Sequence, residues 1–166
     1  MRLLELFGIV PKDQRGAVRL TDPQCWRIDP TADGARFYRA LSILSRPGAV
    51  LYVEDTCESE VTSFLRTHQV HNPTPIALGT ILPRPDRYHV DATPENLREL
   101  ANLIEANRMP LPAIHTHLYH DHEVILEWYD AFTDDPIYVA ASVPEADVRR
   151  FAEAVHCQYR WAKHAA

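Results

Sequence analysis

Residues 111–141, LPAIHTHLYHDHEVILEWYDAFTDDPIYVAA, decide the fold class of this chain. They contain three apolar runs, which cover residues 111–118, 124–129 and 137–141. The runs are rich in β-branched and aromatic residues, which favour strands, and the polar connections between them have the length of hairpin loops. The stretch therefore predicts three consecutive strands that pair in an antiparallel fashion.

Four helices are predicted from apolar residues that recur three and four positions apart along the chain. Thr93 followed by Pro94 has the pattern of a helix start, and Pro110 forbids the continuation of that helix. The apolar sides of the four helices are, in chain order, Phe37, Ala40, Leu41 and Leu44; Val61, Phe64 and Leu65; Leu97, Leu100, Ala101 and Ile104; and Val148, Phe151, Ala152, Val155 and Tyr159.

Shorter strands are predicted between the helices, at residues 49–53 and 76–82, with 88–90 as a short edge strand. Because strands and helices alternate in the first half of the chain, some parallel pairing is expected there. The predicted fold is a single α+β domain over residues 1–166. It has a mixed β-sheet with an antiparallel C-terminal three-strand portion, packed by about four helices. Residues 1–30 are predicted to be an irregular N-terminal segment packed on this domain.

Composition narrows the classes of function. The chain has 166 residues, of which 46% are hydrophobic and 24% charged, as in ordinary globular proteins rather than disordered ones. A net charge of −6 disfavours a nucleic-acid partner. The widely spaced Cys25, Cys57 and Cys157 argue against a disulfide framework and against a thiolate zinc site. Since no apolar run approaches the roughly 18 residues that span a bilayer, a cytoplasmic protein without a membrane partner is predicted.

A histidine cluster is the first candidate site. Four of the nine histidines, His115, His117, His120 and His122, lie within one short segment. On a strand, His115 and His117 point to the same side, where two imidazoles can share a metal ion. His120 or His122 could supply a further ligand from the following turn. The pattern predicts a site for a divalent metal such as zinc, which would activate water for hydrolysis.

Two simpler interpretations of the same histidines stay open. His115 and His117 could form the polar side of a half-exposed strand, with His120 and His122 as ordinary exposed turn residues. Alternatively, the clustered imidazoles could form a surface that responds to pH, since histidine titrates near neutrality.

The second candidate site is the segment Glu127, Trp128, Tyr129 and Asp130, where aromatic rings and carboxylates meet at a strand end. Aromatic anchors beside charges are typical of protein-binding faces. They are equally typical of a strand that enters its own core.

Two functions follow from these candidate sites. The favoured hypothesis is a non-enzymatic protein-binding module of the inhibitor or immunity type, whose acidic surface suits a basic protein partner. The alternative is a metal-dependent hydrolase that uses the histidine cluster, and only this alternative implies a cofactor. An enzyme requires the imidazoles to converge in a pocket with room for water, whereas a binding module leaves them spread on a surface. Whether the chain is an enzyme, and its oligomeric state, stay open at this point.

Overall fold

The computed structural model describes residues 16–54, 59–77, 85–109 and 111–164. Within these ranges the chain forms seven strands and four helices. In chain order they are β1 (Gln24–Ile28), α1 (Gly34–Ala40), β2 (Val50–Glu54), α2 (Ser59–Thr67), β3 (Arg87–Asp91), α3 (Pro94–Ala106), β4 (His115–His120), β5 (Glu123–Trp128), β6 (Ile137–Val139), α4 (Glu145–Ala154) and β7 (Tyr159–Lys163). None of the described helices is long and apolar enough to cross a membrane.

The seven strands form one sheet in the order β3-β2-β4-β5-β6-β1-β7, and all neighbours are antiparallel. The α+β prediction is confirmed, and so is the antiparallel order of β4, β5 and β6. The expected parallel pairing in the first half is wrong, since β2 pairs antiparallel with both β3 and β4. The connection from β2 to β3 is long enough to place β3 either parallel or antiparallel to β2. The alternation of strands and helices therefore does not determine the direction of the pairing. One parallel bridge in the described residues joins Val18 to Ile76, outside the strands.

Two expectations near the chain ends are wrong. The segment 1–30 is not irregular throughout, because Gln24–Ile28 forms the interior strand β1, between β6 and β7; residues 1–15 lie outside the described ranges. The last helix does not reach Tyr159, because it ends near Val155 and His156 adopts a left-handed backbone with φ of 59°. The Cys157 N–H then donates to the Ala152 carbonyl, the bond that closes a helix C-terminus of this type.

The helices cover one face of the sheet. The third helix begins as predicted, with the Thr93 hydroxyl oxygen accepting from the Asn96 N–H at 3.1 Å. Successive strand residues point to opposite faces, so the apolar positions pack against the helices and the others project away. The strand side chains in this core include Leu51, Val53, Leu118, Leu126 and Trp128. The predicted strand at 76–82 falls mostly outside the described residues; within them, Ile76 forms a bridge with Val18.

Candidate functional site

A row of polar and aromatic side chains crosses the sheet on the face away from the helices. The strand register places one such residue of each of six neighbouring strands directly opposite the next. Residues that are directly opposite in an antiparallel pair share a face and contact each other. In sheet order this set, which we call the polar row, is His89, Tyr52, His117, Glu127, Tyr138 and Arg27.

Four ionisable side chains on this face are almost completely buried. Their exposed fractions are 0% for Glu54, 3% for His115, 1% for His117 and 3% for Glu127. Transfer of a carboxylate or an imidazolium out of water is costly, and such groups are rarely enclosed without partners. Enclosed titratable groups are also more frequent at functional sites than elsewhere, so this face is a candidate for chemistry.

His115 lies in a line of neighbouring polar groups. Its Nδ1 accepts from the Asp130 backbone N–H at 2.8 Å, so the proton of the neutral ring is on Nε2. Nε2 is 3.8 Å from Glu54 Oε1, and Glu54 Oε2 accepts from the Tyr52 hydroxyl at 2.7 Å. Burial, followed by the nearby Glu54 charge, raises the pKa of Tyr52, which keeps this phenol a donor. The line therefore runs from a backbone amide through an imidazole and a carboxylate to a phenol.

His117 is enclosed by aromatic rings. Its ring centroid is 5.4 Å from that of Tyr52 and 4.8 Å from that of Tyr129. Tyr129 also contacts the His115 ring at 5.4 Å and donates its hydroxyl proton to the Ala77 carbonyl at 3.1 Å. His115, His117 and Tyr129 have further interactions, so none of them is without a partner. The two imidazoles thus share one aromatic neighbour that is itself held by a hydrogen bond.

At the β3 end of the polar row, His89 is neutral at pH 7. Burial, with a smaller contribution from the Arg87 charge, lowers its pKa to about 4. Its Nδ1 is 2.9 Å from the Tyr119 hydroxyl, and burial raises the pKa of that phenol. Because burial keeps the phenol protonated, the Tyr119 hydroxyl can donate to the neutral ring of His89.

Glu127 attaches two distant segments to the sheet. Its Oε2 accepts from the Leu20 backbone N–H at 2.8 Å, and its Oε1 is 3.0 Å from His164 Nε2. These two partners favour the ionised carboxylate, but burial has the larger effect and raises the pKa of Glu127. Because both carboxylate oxygens are occupied by partners from the chain, Glu127 acts mainly as a structural acceptor here.

The structure separates the four histidines of the predicted metal site. His115 and His117 lie together on the buried face, as strand alternation predicted. His120 projects to the opposite side, beside Gly48, and His122 is exposed in the turn after β4. Among the described residues no group of three or more His, Cys, Asp or Glu side chains is arranged to hold a metal ion. A site formed by all four imidazoles is therefore not present in this fold, while metal binding at His115 and His117 stays a prediction.

The predicted partner-binding segment is also divided by the sheet. Glu127 is buried on the polar row, and Trp128 is 0% exposed, in the core beside Phe37 at 4.9 Å. These two residues do not form a common exposed surface. Trp128 lies opposite Thr116 and points toward the helices, so the adjacent Glu127 points to the other face of the sheet. Tyr129 is half-buried, whereas the Asp130 side chain is 62% exposed. Of the four, Asp130 has the most exposed side chain and Tyr129 is partly accessible.

Asp130 opens an acidic turn, residues 130–135, that is held firmly to β4. The Asp130 N–H donates to His115 Nδ1, and the Ala131 N–H donates to the Ile114 carbonyl at 2.7 Å. Asp130 and Phe132 have positive φ angles of 47° and 64°, so the turn needs such support.

Two exposed apolar side chains precede β4, and one of them, Ile114, is joined to this turn through its backbone carbonyl. Leu111 is 52% exposed and Ile114 is 42% exposed. The predicted strand at 111–118 includes both residues, but β4 begins only at His115, and Pro112 next to Leu111 is a signal against strand pairing there. We define the acidic patch as the exposed residues Leu111, Ile114, Asp130, Asp134 and Asp135.

A separate groove of about 800 Å³ lies on the helix side, between α1 and α3. Arg36, Arg39 and Arg108 line it. Arg36 pairs with Asp33 at 3.0 Å and Arg39 with Glu105 at 3.0 Å, so two of the three guanidinium groups already have carboxylate partners. The groove is therefore a weaker anion site than its arginine content implies.

No protein-family model matches the chain, and neither a curated protein nor a solved structure matches it. Its function has to be inferred from its own geometry.

Proposed function

We propose that this domain is a non-enzymatic protein-binding module, comparable in role to an inhibitor or immunity protein, and that the acidic patch is its binding surface. One observation carries the proposal: the exposed Ile114, three residues after the exposed Leu111, is joined through its carbonyl to a turn with three exposed carboxylates. Apolar contacts at the centre with charges around them are the usual anatomy of a protein interface.

The turn is pre-organised for binding. Its first two backbone N–H groups, at Asp130 and Ala131, are bound by His115 Nδ1 and by the Ile114 carbonyl. A turn that is already ordered loses less conformational freedom when a partner binds, and this favours affinity. The buried His115 imidazole thus supports the surface from below, which gives it a role without a metal or a substrate.

The charge of the acidic patch indicates the chemistry of the partner. Asp130, Asp134 and Asp135 are exposed on one short turn, and the whole chain has a net charge of −6. A partner with a basic face would be attracted to this turn before contact, and its Lys or Arg stems could cover Leu111 and Ile114. Association should therefore slow as the salt concentration rises.

The test begins with affinity purification, in which the immobilised wild-type domain isolates a partner from the source cells. The partner is then identified and purified. Its affinity for variants is then measured by calorimetry. Ile114→Asp, which puts a charge at the apolar centre, and Asp130→Lys, which reverses a charge at the rim, are each expected to weaken binding about tenfold or more. Glu99→Lys is the matched control, because Glu99 is exposed on α3 outside the acidic patch. Unchanged affinity in both patch variants would show that the partner binds elsewhere.

A second candidate function, metal-dependent hydrolysis, is favoured by one observation. The buried Glu54 carboxylate lies 3.8 Å from the His115 ring and accepts from Tyr52, which places a candidate proton acceptor beside the imidazole. In this function the His115 and His117 rings would share a divalent ion, and Glu54 would accept a proton from water.

Metal content distinguishes this second candidate. We would measure it by mass spectrometry on untagged protein that has been offered zinc, with a His115→Ala, His117→Ala double variant for comparison. About one ion per chain, lost in a variant that keeps the wild-type circular dichroism spectrum, is the result that hydrolysis requires. Below about a tenth of an ion per wild-type chain, the second candidate is excluded.

A further inference from the structure

The two edges of the sheet differ. At the β3 edge, the Val70 N–H donates to the His89 carbonyl at 2.8 Å, and Gln69 forms a bridge with Val90. The β7 edge has no such cover, since β1 is the one strand that pairs with it in the described part of the chain. Open strand edges are sites at which a further strand can add.

Half of the residues of β7 direct their backbone N–H and C=O groups away from β1. The Gln158 carbonyl accepts from Asp29 and the His164 N–H donates to Pro23, so the even-numbered residues face β1. Strand alternation then directs the N–H and C=O groups of Tyr159, Trp161 and Lys163 away from β1. These three residues offer a regular row of donors and acceptors to an incoming strand.

The side chains at this edge are aromatic as well as basic. Trp161 is 45% exposed and contacts Trp26, the residue directly opposite on β1, with ring centroids 4.6 Å apart. Trp26 also contacts Tyr159 at 6.0 Å. An exposed indole beside unpaired backbone is a frequent anchor in protein interfaces.

We propose that β7 pairs antiparallel with β7 of a second copy of this chain, with the two-fold axis at Trp161, so that two seven-stranded sheets become continuous. In a two-fold arrangement the same residues serve on both sides. The register centred on Trp161 pairs all three outward residues: Trp161 with the second copy's Trp161, and Tyr159 with the second copy's Lys163. Each such pair exchanges two backbone hydrogen bonds.

The side chains fit this register. Lys163 of one copy lies opposite the Tyr159 ring of the other, where an ammonium group is attracted to the aromatic face. Arg160 lies opposite Ala162, so no two basic side chains are directly opposed. The two Trp161 indoles meet at the axis and extend the contact with Trp26 on each side. Sequence, strand direction and charge therefore all allow the chain to bind itself at this edge.

This pairing is independent of the proposed function, because no residue of the acidic patch belongs to β1 or β7. The contact involves one short strand and its flanking rings, which places it among the smaller interfaces, so we expect dissociation constants on the order of micromolar.

The test is the mass of the wild-type protein in sedimentation equilibrium at about 1 to 500 μM. The mass should rise from that of the 19.0 kDa chain toward twice that value and no further, since a two-fold contact closes on itself. Trp161→Arg places two like charges at the axis and should give monomer throughout. Leu111→Arg, the same change at another exposed apolar residue, should dimerise like the wild type.

The proposal would be overturned by wild-type monomer at every concentration, by continued growth beyond the dimer, or by a Trp161→Arg protein that still dimerises. Loss of the dimer in Leu111→Arg would also overturn it, because the contact would then lie at the acidic patch. Far-ultraviolet circular dichroism verifies that both variants are folded. Trp161→Phe, which keeps an aromatic ring at the edge, should retain part of the association.

Discussion

Replacing Trp128 with alanine is expected to lower the free energy of unfolding by about 3–5 kcal/mol. Trp128 is 0% exposed, and its ring packs against Phe37 at 4.9 Å and Phe132 at 4.6 Å. The substitution leaves a cavity among these rings and also leaves the Asp135 carbonyl without the indole N–H that lies 2.8 Å away. Since domains of this size are stable by about 5–15 kcal/mol, the change removes a large part of the total.

Urea unfolding followed by far-ultraviolet circular dichroism measures this loss. Trp161→Ala is the matched control, because it deletes the same side chain at an exposed position and should cost about 1 kcal/mol or less. Trp128→Phe should fall between the two, since it keeps a ring but loses the hydrogen bond to Asp135. If the alanine variant at 128 were no less stable than the one at 161, Trp128 would be a surface residue and the strand register of β5 would be wrong.

Acidification from pH 6.5 to pH 4 is expected to lower stability by about 2–3 kcal/mol through His89 alone. In the folded protein the pKa of His89 is lowered from 6.5 to about 4, first by burial and then by the Arg87 charge. Between these two values the unfolded chain binds a proton that the folded chain does not. The contribution of His89 is therefore fully present above pH 6.5 and is lost as the pH falls toward 4.

Glu127 acts in the opposite direction. Burial raises its pKa, so the folded chain holds a proton on this carboxyl that the unfolded chain has released. Its contribution therefore falls as the pH rises from the value of the unfolded carboxyl, near 4.5, through the raised folded value. The pH-dependent contributions of His89 and Glu127 to stability partly cancel in the wild type. A variant is therefore needed to isolate the contribution of His89.

His89→Gln is that variant. Glutamine keeps an acceptor for the Tyr119 hydroxyl but does not titrate, so the difference in unfolding free energy between wild type and variant should change across pH 4 to 6.5. Urea titrations at several pH values measure it. His122→Gln, at an exposed ring in the turn after β4, controls for the loss of an imidazole as such. Parallel curves for wild type and His89→Gln would contradict the neutral, buried state of His89.

Local patterns predicted the local parts of this fold. β4, β5 and β6 follow one another through short loops, so their pairing could be derived from the sequence alone. β7 was missed because Tyr159 continues the apolar spacing of α4 and does pack against the core, although from a strand. The spacing of apolar residues predicts which side chains are buried. It does not predict that His156 adopts a left-handed backbone conformation, which ends the helix one turn earlier.

The candidate site was predictable only in part, for a similar reason. Strand alternation placed His115 and His117 on the same side, and the structure confirms this. The same alternation in β2 puts Tyr52 and Glu54 on the other face of the sheet from the core residue Val53. Their place on that face was therefore predictable from the sequence. That the face is enclosed could not be derived, because the groups that cover it come from distant segments such as Leu20 and Ala77.

The place of β1 in the sheet has a consequence for how the chain reaches its native state. β1 is the first strand of the described chain, yet its two neighbours, β6 and β7, are the last two to be synthesised. The Trp26 indole, for example, donates to the Val143 carbonyl across a separation of 117 residues. During synthesis on the ribosome, β1 therefore remains unpaired until nearly the whole domain has emerged. Such long-range closure makes folding slow, and it leaves an unpaired, tryptophan-bearing strand exposed during synthesis.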